Sequence, residues 1–158
     1  MGGRDGDRAR SWLATALDEA RAGLREGGVP IGAVLYGADG RLLGRGHNRR
    51  VQGGGPSAHA ETAAFRDAGR QRSYRGTTMV TTLSPRWYRS GLVRRFGISR
   101  VVAGEAETFR GGHDRLAGHG VGVLVLDDPA CVALVREFVA ARPEPWNEDT
   151  GQEWGPGP

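Results

Sequence analysis

Trp12, Leu13, Ala16, Leu17, Ala20 and Leu24 recur three and four residues apart, which lines them along one face of a helix. Ser11 supplies an N-cap and Gly27-Gly28 a stop, so the pattern predicts a helix from Ser11 to about Glu26. Val29–Tyr36 then reads as a buried strand, Gly37-Ala38-Asp39-Gly40 as a hairpin turn and Arg41–Gly46 as the returning strand. Residues 49–57, with Gly53-Gly54-Gly55-Pro56, predict an irregular loop, and a second helix is expected from His59 to Ala68, with His59 and Glu61 in its first turn. Thr77–Thr82 is β-branched and strand-like, and Pro85 suits the first turn of a helix running to about Phe96. Arg100–Gly104 and Val121–Leu126 read as the last two strands, with a Gly-rich connection and a short helix near Asp114–Ala117 between them. A long helix is expected over Pro129–Arg142, followed by a polar tail from Pro143.

This order, α-β-β-α-β-α-β-α-β-α, describes a sheet of five strands between helical layers. The 158 residues suit one core, with residues 1–10 expected to be a flexible start, 11–150 a single domain and 151–158 a flexible tail. All 22 basic residues are arginine and the formal net charge is +4, which permits an anionic ligand. The arginines are spread along the chain without a dense basic run or an interleaved aromatic platform, which points away from nucleic acid as a partner. Cys131 is the sole cysteine, so no intramolecular disulfide forms, and it sits in an apolar helical run where a packed thiol is expected. No apolar run approaches the ~18 residues of a membrane span, and the start lacks a secretory h-region. A soluble cytoplasmic protein is expected.

Two short stretches carry the chemistry. His59-Ala60-Glu61 and, further on, Ser84-Pro85-Arg86-Trp87-Tyr88-Arg89 together resemble the zinc signature of the cytidine/cytosine deaminase superfamily, in which H-x-E is followed by P-C-x-x-C. Within that superfamily the chain is most similar to the fungal-type cytosine deaminases. The shared stretches are Glu26-Gly27-Gly28-Val29-Pro30-Ile31-Gly32, Gly44-Arg45-Gly46-His47-Asn48, Thr81-Thr82-Leu83-Ser84-Pro85, Val125-Leu126-Asp127-Asp128 and Arg142-Pro143-Glu144-Pro145-Trp146. The resemblance implies a three-layer α/β/α sandwich around a five-stranded mixed sheet, and a homodimer. It also implies that Asn48 bonds a pyrimidine carbonyl, that Asp149 meets the amino end of the base, and that Ile31, Phe109 and Trp146 enclose the ring. Glu61 would shuttle protons and His59 would be a metal ligand.

The signature departs from the family where two cysteines are expected, because Arg86 and Arg89 stand there. A thiolate bonds zinc at about 2.3 Å, whereas a guanidinium is a permanent cation with no lone pair to offer. No metal and no other cofactor is therefore expected. Two cations at the start of a helix need an anion to answer them. One reading is structural, an ion pair between these arginines and Glu61 that fills the metal's place. The other is functional. Arg86 and Arg89 bind an acidic group on a small planar heterocycle or amide, Glu61 remains the proton shuttle, and His59, freed from metal, serves as acid or base. The leading expectation is thus a zinc-independent enzyme with an anionic small-molecule substrate. Its alternatives are a catalytically inactive pseudo-deaminase that senses a ligand or binds a partner, and a conventional nucleobase deaminase.

Overall fold

The computed structural model describes residues 2–85, 87–108 and 116–150, with the side chains of 87–89, 149 and 150 outside that description. In chain order the elements are α1 (Gly3–Arg25), β1 (Gly32–Tyr36), β2 (Leu42–His47), α2 (Arg50–Gly53), α3 (Ala60–Ala68), β3 (Thr78–Leu83), α4 (Trp87–Phe96), β4 (Arg100–Glu105), β5 (Gly122–Val125), α5 (Pro129–Ala141) and α6 (Pro143–Thr150). Every residue of β1 and β3 is buried, so both strands require cover on both faces. The sheet order β2-β1-β3-β4-β5 places them at its centre and near-centre. β1 runs antiparallel to both β2 and β3, while β3, β4 and β5 run parallel, which makes the sheet mixed as expected.

Alternate residues of the strands feed two cores. Ala33, Leu35, Met79 and Val101 pack with Ala60 and Ala64 of α3 and Val93 of α4. Val34, Tyr36, Val80 and Val102 pack instead with Ala9, Leu13, Ala16 and Leu17 of α1. α5 joins both, through Cys131 on one side and Val135 and Phe138 on the other. The period-2 alternation of a strand puts successive side chains on opposite faces, and helices on both faces give the three-layer α/β architecture.

Beyond small shifts at strand ends, such as β1 starting at Gly32 and not at Val29, three stretches differ from expectation. α1 begins at Gly3 instead of Ser11, so the stretch expected to be a flexible start is helical. Its early turns are held by Ala9, which is buried, and by a two-pronged pair in which Arg100 Nη1 and Nη2 donate to the two Asp5 oxygens at 2.9 Å each. The guanidinium also holds the Asp5 carboxyl below its usual range. Tertiary pairing across the chain thus extends a helix that local periodicity starts later. At the other end, Pro143–Thr150 is the helix α6 and not a tail, anchored by buried Trp146. Within the expected loop, Arg50–Gly53 forms the single turn α2. The short helix expected near Asp114–Ala117 falls partly outside the described residues; 116–118 are helical. No helix among the described residues is long and apolar enough to cross a membrane.

The helices approach the sheet at glycines. A Cβ on Gly32 would run into the Ala16 carbonyl and lie 2.6 Å from the Ala20 nitrogen, both on α1. A Cβ on Gly46 would lie 2.5 Å from the Ala63 methyl and 2.9 Å from the Ala63 carbonyl carbon on α3. α1 is further tied to β2 by polar contacts. His47 Nδ1 lies 2.8 Å from Glu19 Oε2 and its Nε2 lies 2.9 Å from Glu26 Oε1, while Arg45 Nε donates to Glu19 Oε1 at 2.7 Å. Burial pushes the Glu19 carboxyl up, but the bonds from His47 and Arg45 outweigh it and hold it below the usual glutamate range.

Two outcomes follow from this packing. Gly32→Ala is expected to destabilise the fold by roughly 1–3 kcal/mol through overpacking, read as a lower urea midpoint with an unchanged slope. A carboxyl with a depressed folded pKa contributes stability above its unfolded value and loses it as pH falls through the folded one. Glu19→Gln is therefore expected to be less stable than wild type at neutral pH, with the gap closing below the ordinary glutamate range; a gap constant from neutral to acid pH would contradict that origin.

Candidate functional site

The first turn of α3 carries the central acid. His59 is the N-cap residue of α3, with extended backbone, and stands one position outside the helical turn in which it was expected. Glu61, the second helical residue, is 2% exposed. It lies near the helix end whose free N–H groups favour negative charge. The Thr81 hydroxyl of β3 is 3.0 Å from Glu61 Oε1 and 2.9 Å from the Leu83 carbonyl oxygen, and with a single proton it donates to one of these at a time. Thr81 pairs with Ala33 of β1, and the neighbouring Thr82 Oγ1 accepts the Gly32 N–H at 3.1 Å. Glu61 is thus seated where β1 enters the sheet and β3 leaves it.

Asn48 follows β2 at the same end and is 1% exposed. Its backbone N–H donates to the Ile31 carbonyl at 3.0 Å, which brings two of the expected ring-binding residues together. Asn48 Oδ1 accepts the Arg50 N–H at 3.1 Å, and its backbone carbonyl accepts from Gln52 Nε2 at 3.2 Å. The Arg50 bond sets the orientation of the amide, because only the oxygen accepts from an N–H. Asn48 Nδ2 is consequently the group turned away, buried and without a hydrogen-bond partner among the described residues. A buried donor left unpaired costs about 1–3 kcal/mol. That cost is recovered when a ligand oxygen or nitrogen accepts from it.

Ile31, Ala60, Leu83 and Trp146 belong to one buried cluster, so the start of β1, the head of α3, the end of β3 and α6 converge there. Trp146 also borders a cleft of about 320 Å³ formed with Glu107, Thr108 and the Val135–Ala140 side of α5. Of the remaining expected site residues, Arg86 and Phe109 lie outside the described residues. Arg89 is in the first turn of α4 and Asp149 is in α6, both known by backbone position only. Two residues were not anticipated. Thr81 is one, since a threonine in a fully buried strand carries no mark of its contact with a carboxylate. Glu105 is the other: wholly buried at the end of β4, it accepts the Thr108 N–H at 3.0 Å and the Thr108 O–H at 2.5 Å.

Among the described residues no group of three or more His, Cys, Asp or Glu side chains lies close enough together to hold a metal. Cys131 belongs to the α1 face of the core, where burial pushes its thiol up to about 12. It is a packed thiol, as expected, and far from the thiolate a metal requires.

Residues 7–105 match the model of the cytidine and deoxycytidylate deaminase zinc-binding region. The cytosine deaminase of Candida albicans is 39% identical over 142 residues, covering 89% of this chain and 95% of that protein. The tRNA-specific adenosine deaminase of Streptococcus pyogenes serotype M18 is 33% identical over 108 residues, 66% of this chain and 67% of that one. Among solved structures, NE0047 in complex with 2,6-diaminopurine superposes with a TM-score of 0.74 at 24% identity, over 85% of this chain and 82% of that one, a likeness of fold. With the Glu61 helix end, the mixed five-stranded sheet and these matches in agreement, the chain belongs to the cytidine and deoxycytidylate deaminase family.

Proposed function

We propose that this chain is a zinc-independent member of its family that binds a nucleobase-like planar heterocycle, or a related amide, bearing an acidic group. Glu61 moves protons on the substrate, and Arg86 and Arg89 meet its negative charge. The observation that carries this reading is a buried, hydrogen-bonded carboxylate at position 61 combined with a donor set that does not suit zinc. His59 offers one imidazole, but the residues that follow Pro85 at the expected spacing are arginines, which have no lone pair and repel a dication. The residues present do not fit the metal, so no step is routed through it.

The ligand class is supported by Asn48, whose unpaired Nδ2 matches a ring carbonyl or ring nitrogen. Ile31, whose carbonyl accepts the Asn48 backbone N–H, shares a buried apolar cluster with Trp146. Relatives point the same way, one being a cytosine deaminase and another a protein in complex with 2,6-diaminopurine. Arg89 lies by backbone position in the first turn of α4, and in this reading its guanidinium and the helix N-terminus together meet a substrate carboxylate or phosphate. Phe109 and Asp149 are carried in the proposal as further ring contacts, and the homodimer as its assembly.

The chemistry follows from what these groups can do. An arginine does not lower the pKa of a bound water as zinc does, so the substrate must bring its own electrophilic carbon. Addition–elimination, isomerisation or condensation on an activated ring meets that requirement. Glu61 takes a proton from the attacking group and returns it to the departing or rearranging nitrogen, and His59 is placed at the helix end to assist. The guanidinium groups hold the negative charge that develops during addition.

Metal analysis and a turnover screen test the proposal together. Purified protein is expected to carry substoichiometric zinc and to turn over acidic heterocycles after chelation. Glu61→Gln is expected to lower kcat by about 10²–10⁴ with the melting temperature retained. Arg89→Ala is expected to raise KM for acidic substrates and to leave neutral analogues unaffected. Asn48→Ala should weaken ring binding by roughly tenfold or more. One zinc per chain with turnover of cytosine would return the protein to conventional deamination. Heterocycle binding with no product from any of them would make it a ligand-binding pseudo-deaminase.

A further inference from the structure

A cleft of about 560 Å³ lies at the opposite end of the sheet from Glu61. It is bordered by Arg75 ahead of β3, Arg94 in the last turn of α4, Ser99 ahead of β4, and His119 and Val121 ahead of β5. Because β3, β4 and β5 are parallel, their entries collect here while Thr81 and Glu61 sit at the far end. No carboxylate lines the cleft among the described residues. Arg75 and Arg94 likewise have no carboxylate partner among them.

Arginines in the last turn of a helix ordinarily answer its free carbonyls. That account goes only part of the way, because several of the carbonyls at this end are already satisfied by the backbone. Arg94 O accepts the Gly97 N–H and Val93 O accepts the Ile98 N–H, while Leu116 O and Ala117 O accept from His119, Gly120 and Val121. Nor does it bring Arg75 and His119 there from two separate loops. A compositional preference for arginine over lysine explains the choice of cation but not the scarcity of acids. From Arg66 to Arg100 the chain has nine arginines and one carboxylate, Asp67, which accepts the Arg45 N–H. The Ser99 hydroxyl oxygen accepts the Gly76 N–H, which leaves its own proton available to donate.

We propose that this cleft is an anion site for a phosphate-bearing small molecule, separate from the ring pocket and independent of the function assigned to it. Arg75 and Arg94 supply the forked donors that match phosphate oxygens, and Ser99 and His119 add a hydroxyl and a ring N–H. The volume falls within the ~300–1,000 Å³ of small-molecule sites and accommodates a nucleotide-sized ligand.

Calorimetric titration at constant ionic strength decides it, with inorganic phosphate, pyrophosphate, sulfate, a nucleoside monophosphate, the parent nucleoside and a short oligonucleotide as probes. The phosphate-bearing probes are expected to bind and the nucleoside not to bind. A tighter monophosphate assigns the organic ester as ligand, and equal affinity assigns the inorganic group. Arg94→Gln and Arg75→Gln are each expected to weaken binding roughly tenfold, with unliganded melting temperatures unchanged because both side chains are exposed. Arg89→Ala should leave binding intact, which separates this cleft from the acidic-group contact proposed at the start of α4. The proposal is overturned if no phosphate probe binds, if both cleft variants retain full affinity, or if an oligonucleotide binds where the monophosphate does not. Sulfate binding as well as phosphate would mean an adventitious ion only, and would overturn it too.

Discussion

The site depends on how closely two helices press on the sheet. Gly32 and Gly46 lack the Cβ atoms that would meet α1 and α3, so both helix backbones lie directly against the strands. For α3 the result is positional. Its N-terminus is held where β1 enters and β3 leaves, and Glu61 is driven into the interior instead of out to water. A buried carboxylate needs a partner in compensation. Thr81 supplies one from the strand beneath it.

Around that acid, the described structure separates two kinds of polar group. Most are satisfied by the protein itself, as in the His47 clasp between Glu19 and Glu26 or the closing of the Glu105 carboxylate over Thr108. The Asn48 amide nitrogen is not. Interiors rarely leave a donor unpaired, and where they do the group marks either stored cost or a missing ligand. Asn48 lies next to Ile31, whose carbonyl accepts the Asn48 backbone N–H, at the sheet end that also holds Glu61. Positions 86 and 89 carry arginine, a permanent cation with no lone pair to offer a metal.

The charge distribution also looks different in space than along the chain. Read along the chain, the arginines look evenly scattered. Folding brings Arg75, Arg94 and His119 to one cleft from three separated segments, with no acid among the described residues to offset them. Proximity in space, not in sequence, makes a charged patch, and long-range Coulomb attraction responds only to the former.

Much of the architecture could be read from the residues in order. Period-2 and period-3.6 patterns located the five strands and the long helices, and the Gly-Gly and Pro punctuation located their ends, because side-chain direction is a local consequence of backbone geometry. His59, Glu61 and Asn48 were marked by short motifs whose spacing survives on a helix start and a strand end. What local pattern missed was held by partners far away: the first turns of α1, fastened by Arg100 to Asp5, and α6, fastened by Trp146 in the core. The sequence by itself therefore determined most of the elements, the family and the residue types that stand at its signature positions. Only the tertiary structure decided that Thr81 faces Glu61, that the Asn48 donor has no partner among the described residues and that distant arginines share a cleft. Hydrogen-bond partnership and burial are properties of neighbours, and most of these neighbours are distant along the chain.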